Sequence, residues 1–336
     1  MIDPNTALSA AGEGAKAVSK FEEILQKIYG PRWTKKQADA DAYADNRKLQ
    51  TIRENPDMEI VYTNGQMNAR ARSPEALAFR AEQRQLAESI RQEENVEKVL
   101  DIAGQELQSK DIISDQSVDE DWLTRFFGVA KDVSSSDMQL IWGKILAGEI
   151  SRPKSFSMRT LETIRNISSD EAKVFESLLP FVMLNGQANF IPVDLITFDE
   201  FGIPFSSILQ MDECGLVSSS GLITIGIKAM NNAQEQPILY TKDELLSVSD
   251  APSVNFDFTL RVYPLTRAAI ELISIIDYSP NHDFFLKLAK KIHFEHLSNA
   301  NMRIFPISYN EEGNSYLDMN KPIYTFCKTV HQQSGF

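Results

Sequence analysis

Residues Asp121 to Thr160, reading DWLTRFFGVAKDVSSSDMQLIWGKILAGEISRPKSFSMRT, constrain this chain more than any other stretch. Two tryptophans stand in short apolar-periodic runs joined by a Ser-Ser-Ser-Asp link, which reads as a distinctive pair of short helices. Asp121 is placed to cap a helix on which Trp122, Phe126 and Val129 share a face, with Leu123 and Phe127 beside them. Ser136 and Gln139 have capping-box spacing for the next helix. Its Met138, Ile141, Trp142, Ile145, Leu146 and Ile150 keep a three-and-four spacing until Pro153 stops it. Ser157 opens a third helix carrying Leu161, Ile164 and Ile167. Ser168 with Glu171 forms a second capping box for a fourth, carrying Ala172, Phe175, Leu178 and Leu179. Four short helices with short joints predict a compact helical domain.

Upstream, Leu8, Ala11, Ala15, Val18, Phe21, Leu25 and Ile28 predict an amphipathic helix over residues 7–29, ended by Gly30-Pro31. A polar segment from Lys35 to Arg53 reads as a helix with little to bury. Residues Asn55–Arg72, with an Asn64-Gly65 turn signal, read as a poorly packed linker. Ser73-Pro74-Glu75 then opens a long helix reaching about Leu107. Its second half carries an apolar seam of Val96, Val99, Leu100, Ala103 and Leu107, whereas its first half is nearly all charged, as in a solvated strut.

After Pro180 the period changes. Thr197–Phe201 and Pro204–Glu213 read as short helices, the second turning Phe205, Ile208 and Leu209 inward with Gly215 just past its end. Leu222–Lys228 and Pro237–Tyr240 read as strands. In Val254–Val262 the residues Val254, Phe256, Phe258, Leu260 and Val262 alternate with Asn255, Asp257, Thr259 and Arg261. Thr266 caps a helix with Ala269, Leu272, Ile273 and Ile276. This element order is that of a winged-helix domain. Ser279-Pro280 begins a further helix with Phe284, Phe285, Leu288, Ala289 and Ile292. Arg303–Tyr309 and Pro322–Phe326 around an Asn310–Asn314 turn predict a terminal hairpin.

Charge narrows the class of partner. The net charge of −13 is uneven: Asp170 to Pro280 holds five basic against fifteen acidic residues, leaving −3 for all the rest. Such a region repels a phosphate backbone, so direct nucleic-acid binding there is disfavoured. Cys214 and Cys327 form no spaced cluster, which argues against a disulfide framework and fits a reducing cytoplasm. No signal segment and no span of membrane length is read.

Candidate chemistry is sparse. His293 and His296, with Glu295 between them, could hold a metal, but the order of a metalloprotease helix is absent and surface polarity is the better reading. Asp121, Glu149, Arg152 and Arg159 lie within the helical motif without a nucleophile or metal partner, so capping and ion pairing account for them. Trp122 and Trp142 sit on apolar faces and read as core. Cys214 has no nearby histidine and reads as a structural thiol. Gly12-Glu13-Gly14 lies within a helix and is no phosphate loop. The N-terminal helix has no basic polar face, which disfavours lipid binding and leaves docking on its own chain or self-association.

Several groups of residues carry a resemblance: Asp121-Trp122, the Ser-Ser-Ser-Asp joint before Trp142, Ile145-Leu146-Ala147-Gly148-Glu149-Ile150, and Phe156-Ser157-Met158-Arg159-Thr160-Leu161. Glu213-Cys214-Gly215-Leu216, Leu265-Thr266 and Glu271-Leu272 support them. In these the chain resembles the bacterial family known as domain of unknown function 2806, over roughly residues 75–295. The resemblance implies no catalytic residue. Similar chains recur in mobile and prophage-like contexts, which implies a tie to conflict with phage.

The expectation is therefore a mainly α chain with a smaller α+β part. Residues 1–72 form a helical arm and linker, 73–182 the long helix and compact helical domain, 183–278 a winged-helix-like α+β domain, and 279–336 a C-terminal helix and β-hairpin. Asp121, Trp122, Trp142, Glu149, Arg152 and Arg159 are its structural or interaction motif. The expected role is a non-enzymatic, cytoplasmic interaction or assembly protein that binds copies of itself and an unidentified protein partner. It needs no cofactor and no metal, and serves as a sensor or regulator in defence against phage. One alternative is a nucleic-acid-linked regulator using Arg80, Arg84 and Arg91, although Glu82, Glu88 and Glu93 interleave them. Another is an effector enzyme with a cleft built from Asp121, Glu149 and Arg159.

Overall fold

The computed structural model describes residues 12–29, 59–63, 66–70, 74–110, 113–186, 188–193, 198–218, 223–229, 236–249, 256–309, 315–318 and 320–327. The expected helix at Lys35–Arg53 lies outside them. The chain divides into two compact units, Met1–Phe156 and Ser157–Phe336. That boundary falls inside the span 73–182, which the sequence reading treats as one domain.

In the first unit, α1 (Gly12–Tyr29) buries Ala17, Phe21, Ile24 and Leu25. It packs against α2 (Pro74–Gln108) and α4 (Ser136–Ser151). Lys16 pairs with Asp115 at 3.2 Å, and Lys27 with Glu120 at 3.6 Å. The helix therefore packs on its own chain. Residues Glu59–Thr63 (β1) and Gln66–Arg70 (β2) pair antiparallel, so the expected linker contains two paired strands; the Asn64-Gly65 turn signal lies outside the described residues.

The seam on α2 is the one expected: Val96, Val99, Leu100, Ala103 and Leu107 are buried. It meets α4 at Gly143, where an added Cβ would stand 2.4 Å from Ile102 Cγ2 and 3.2 Å from the Val99 carbonyl oxygen. Glycine at 143 is therefore what lets the two backbones approach. Helix α3 (Glu120–Ala130) adds Trp122, Leu123, Phe126, Val129 and Ala130 to the same core. The joint between α3 and α4 is closed by amides. Asn95 donates to the Lys131 carbonyl at 2.9 Å and to Ser134 at 3.1 Å, while Gln139 donates to Asn95 and to the Val133 carbonyl. Both amides are buried, and their pairing removes the penalty that unsatisfied polar groups would impose there.

The second unit contains α5 (Met158–Arg165), α6 (Ser169–Leu178), α7 (Phe205–Glu213), α8 (Arg267–Ile273) and α9 (His282–His296). Short 3-10 turns lie at Leu179–Phe181 and Phe198–Phe201. Its strands are β3 (Met183–Leu184), β4 (Asn189–Pro192), β5 (Ile223–Ala229), β6 (Gln236–Tyr240), β7 (Glu244–Ser249), β8 (Phe256–Pro264), β9 (Asn301–Tyr309), β10 (Ser315–Leu317) and β11 (Tyr324–Phe326). All join one antiparallel sheet in the order β10-β9-β7-β6-β3-β4-β8-β5, with β11 also on β9. The chain is thus mixed α+β, and the expectation of a mainly α protein is corrected. Strand β7 is buried at every position, so it lacks the alternation that would reveal it; β3 and β4 are too short to show a period.

Several helix starts also move. The N-cap of α3 is Asp119, whose carboxylate accepts from the Trp122 amide at 2.9 Å, and Asp121 lies in the first turn. Helix α4 is preceded by Ser135 without a side-chain cap, because the expected capping partner Gln139 turns into the Asn95 network instead. Asn281, not Ser279, caps α9. Ser157, the Ser168–Glu171 box and Thr266 cap as expected.

Candidate functional site

The residues singled out by the sequence are employed mainly in holding turns. Glu149 is only 1% exposed, yet its carboxylate is well partnered. It accepts from the Lys154 amide at 2.6 Å and from the Phe156 amide at 2.9 Å. Lys154 has φ of 72°, a left-handed conformation that costs a non-glycine residue on the order of 1 kcal/mol. The charge-assisted bond from its amide offsets that strain. On the other face of the same peptide segment, the Trp122 indole N–H donates to the Phe156 carbonyl at 2.8 Å. The turn after α4 is therefore fixed through both the amide and the carbonyl of Phe156.

Trp142 is fully buried against Phe126, ring centroids 5.2 Å apart, and Phe126 in turn stacks on Trp122 at 5.1 Å. Its indole nitrogen finds no hydrogen-bond partner among the described residues. Arg152 is exposed, and its amide closes the end of α4 on the Gly148 carbonyl. Arg159 is exposed on α5. Asp121 is exposed. The Glu149 carboxylate is thus engaged by the backbone amides of Lys154 and Phe156.

In the second unit Glu271 does comparable work that the sequence reading did not assign. Its carboxylate accepts from the Ser157 amide at 2.7 Å, the Thr160 hydroxyl at 2.5 Å and Arg267 Nε at 2.6 Å. It ties α8 to the start of α5. A second unanticipated pair joins His282 Nδ1 to Glu244 Oε1 at 2.5 Å. Its members are 38 residues apart, and only the fold brings β7 to the start of α9.

For His293 and His296 the sequence reading prefers surface polarity over metal binding. The His293 ring stacks on Phe326 at 5.4 Å and its Nε2 lies 3.3 Å from the Ala300 carbonyl oxygen. No group of three or more potential ligands occurs among the described residues. Burial, reinforced by Glu171, pushes the Cys214 thiol up to about 11, so it stays protonated and unreactive near neutrality. No described helix is long and apolar enough to cross a membrane.

What remains is a surface. Phe205 and Leu209, expected inward, are 56% and 43% exposed, one turn apart on α7; Ile208 is buried as expected, and Met211 is the residue buried with it. Glu213 is exposed at the C-terminal end of α7, and Asp199 is exposed in the 3-10 turn before it. On α9, Phe294 is 83% exposed beside the exposed Lys290 and Lys291. Lys290 Nζ lies 5.5 Å from the Tyr324 ring centroid. Lys287 of α9 pairs with Glu200, in the 3-10 turn that precedes α7. Burying a side chain such as Phe or Leu is worth roughly 1.5–3 kcal/mol, and this surface forgoes that gain three times. It also joins charges of opposite sign: residues 284–309 carry Lys287, Lys290, Lys291 and Arg303 against Glu295 alone.

A family model described as a protein of unknown function (DUF2806) matches residues 79–289, more than half of the chain. No curated protein and no solved structure matches.

Proposed function

The chain belongs to the DUF2806 family, and from that premise we propose that it is a non-enzymatic interaction and assembly protein working through the surface of its second unit. The observation that carries this reading is the exposure of Phe205, Leu209 and Phe294 on two helices whose inner faces are fully packed. Exposed aromatic and aliphatic anchors within charged surroundings are the usual anatomy of a docking face.

Within that unit we read a winged-helix-like arrangement. The order α6, β4, 3-10 turn, α7, β5, β8 supports it, as does the pairing of β8 between β4 and β5. The helix that would enter a groove of DNA is then α7. It presents Phe205, Leu209 and Glu213, which suits a protein partner better than phosphate. The setting proposed is the cytoplasm of a bacterium, as a sensor or regulator in defence against phage, in line with the resemblance described above. The test is capture of partners by the tagged full chain from its native host, before and during phage infection. Phe205→Asn with Leu209→Asn should lose the partner, whereas Phe79→Asn, an exposed change on α2, should keep it. Equal capture by both variants overturns the reading.

The winged-helix-like order also favours a nucleic-acid-linked regulator. Titration of the full chain with duplex DNA at low salt separates the two. Micromolar binding that weakens steeply with added salt would transfer the role to nucleic acid.

A further inference from the structure

We infer that the occupant of the α7–α9 surface is the same surface of a second copy, giving a closed two-fold dimer in which α9 of each copy lies on α7 of the other. The inference rests on the interaction reading above and names its partner. Three observations carry it. The first is that each face offers an apolar anchor that its own chain leaves uncovered: Phe205 and Leu209 on α7, Phe294 on α9. The second is charge. Helix α7 ends in the exposed Glu213 and follows a turn with the exposed Asp199, in a region of five basic and fifteen acidic residues, while Phe294 on α9 has the exposed Lys290 and Lys291 one turn before it and Glu295 after it. An acid-edged apolar face and a lysine-edged aromatic one are complementary in both respects.

The third is their linkage. Lys287 of α9 meets Glu200 in the 3-10 turn that precedes α7, which links the two helices through that turn on one protomer. A two-fold axis passing between them sets each basic half on the partner's acidic half, twice and by the same contacts. Such a pairing is self-limiting, whereas the same faces placed far apart would link copies head to tail into open chains. The Lys287–Glu200 contact is an example within one chain of the pairing that the dimer repeats between chains.

The test uses charge reversal with rescue in trans, on the full chain, read by sedimentation velocity. Wild type should dimerise at tens of micromolar and dissociate as salt rises. One variant, Lys290→Glu with Lys291→Glu, makes both faces acidic. The other, Asp199→Lys with Glu213→Lys, makes both basic. Each alone should raise the dissociation constant about tenfold or more. Mixed in equal amounts, they should form a heterodimer, since each acidic face then meets a basic one. Rescue by mixing cannot arise from misfolded variants, and circular dichroism of each alone provides a separate check. Wild type that is monomeric throughout overturns the inference and leaves the partner-capture test of the interaction reading intact. A wild-type dimer that both variants preserve, or variants that stay monomeric when mixed, also overturns it, because another surface then makes the contact.

Discussion

The two units treat their most distinctive side chains in opposite ways. In the first unit Trp122, Trp142 and Glu149 are drawn inside, and two of the three are committed to the backbone of a single turn. In the second, Phe205, Leu209 and Phe294 are left in water on helices that had room for only one buried face. The contrast separates what makes the family recognisable from what gives the protein something to do. A rare motif such as Trp-Gly-Lys-Ile-Leu-Ala-Gly-Glu-Ile is rare because many packing and hydrogen-bond demands coincide there. Distinctiveness of that kind reports on folding. The docking surface is assembled from ordinary residues and has no signature.

The sharpest way to break the contrast is to remove the anchor of the first unit. Trp142→Ala should destabilise the protein by about 3–5 kcal/mol, because a fully buried aromatic leaves a cavity that helices α2 to α4 cannot close. Urea unfolding checks it, and a midpoint equal to that of wild type would show that Trp142 is no anchor. Next in size is Gly143→Ala. With Ile102 atoms at 2.4 and 2.6 Å and the Val99 carbonyl at 3.2 Å from the new methyl, α2 and α4 must part, at a cost of about 1–3 kcal/mol.

Glu149→Gln should also cost about 1–3 kcal/mol, since one of two amides would face an NH2 group in place of an acceptor oxygen. An unchanged midpoint would mean that the turn is held without this carboxylate. At the other end of the scale, Phe205→Asn and Phe294→Asn should shift stability by no more than about 0.5 kcal/mol, as exposed substitutions do. A large loss at either position would mean that these side chains serve the fold after all, and the contrast between the units would fail. Alkylation offers a fifth comparison. At pH 8 the exposed Cys327 should react well before Cys214, whose thiol is held up to about 11 and so offers almost no thiolate.

The helices were the legible part of this fold. Trp122, Phe126 and Val129, or Met138, Trp142 and Ile145, repeat at helical spacing whatever surrounds them, so α3 and α4 could be placed to within a residue or two. Their caps were less legible. Asp119 and Asp121 are chemically interchangeable in sequence, and only geometry chose the first. Strand β7 escaped notice because Glu244 to Ser249 are buried on both faces. The surface was hidden for a different reason. Phe205 and Leu209 have the spacing of core residues, and their outward orientation depends on Ile208 and Met211 having already filled the inside. Glu271 and the His282–Glu244 pair depend on contacts between distant segments, which no local pattern encodes.

Hydrogen exchange on the full chain at two concentrations, one below and one above the dimer's dissociation constant, tests the division of labour most directly. Amides report local opening and its suppression by contact. Raising the concentration should slow exchange in α7 (Phe205–Glu213) and α9 (His282–His296) and leave the motif helices α3 and α4 unchanged. Concentration-dependent protection in α3 or α4, with none in α7 or α9, would contradict the account.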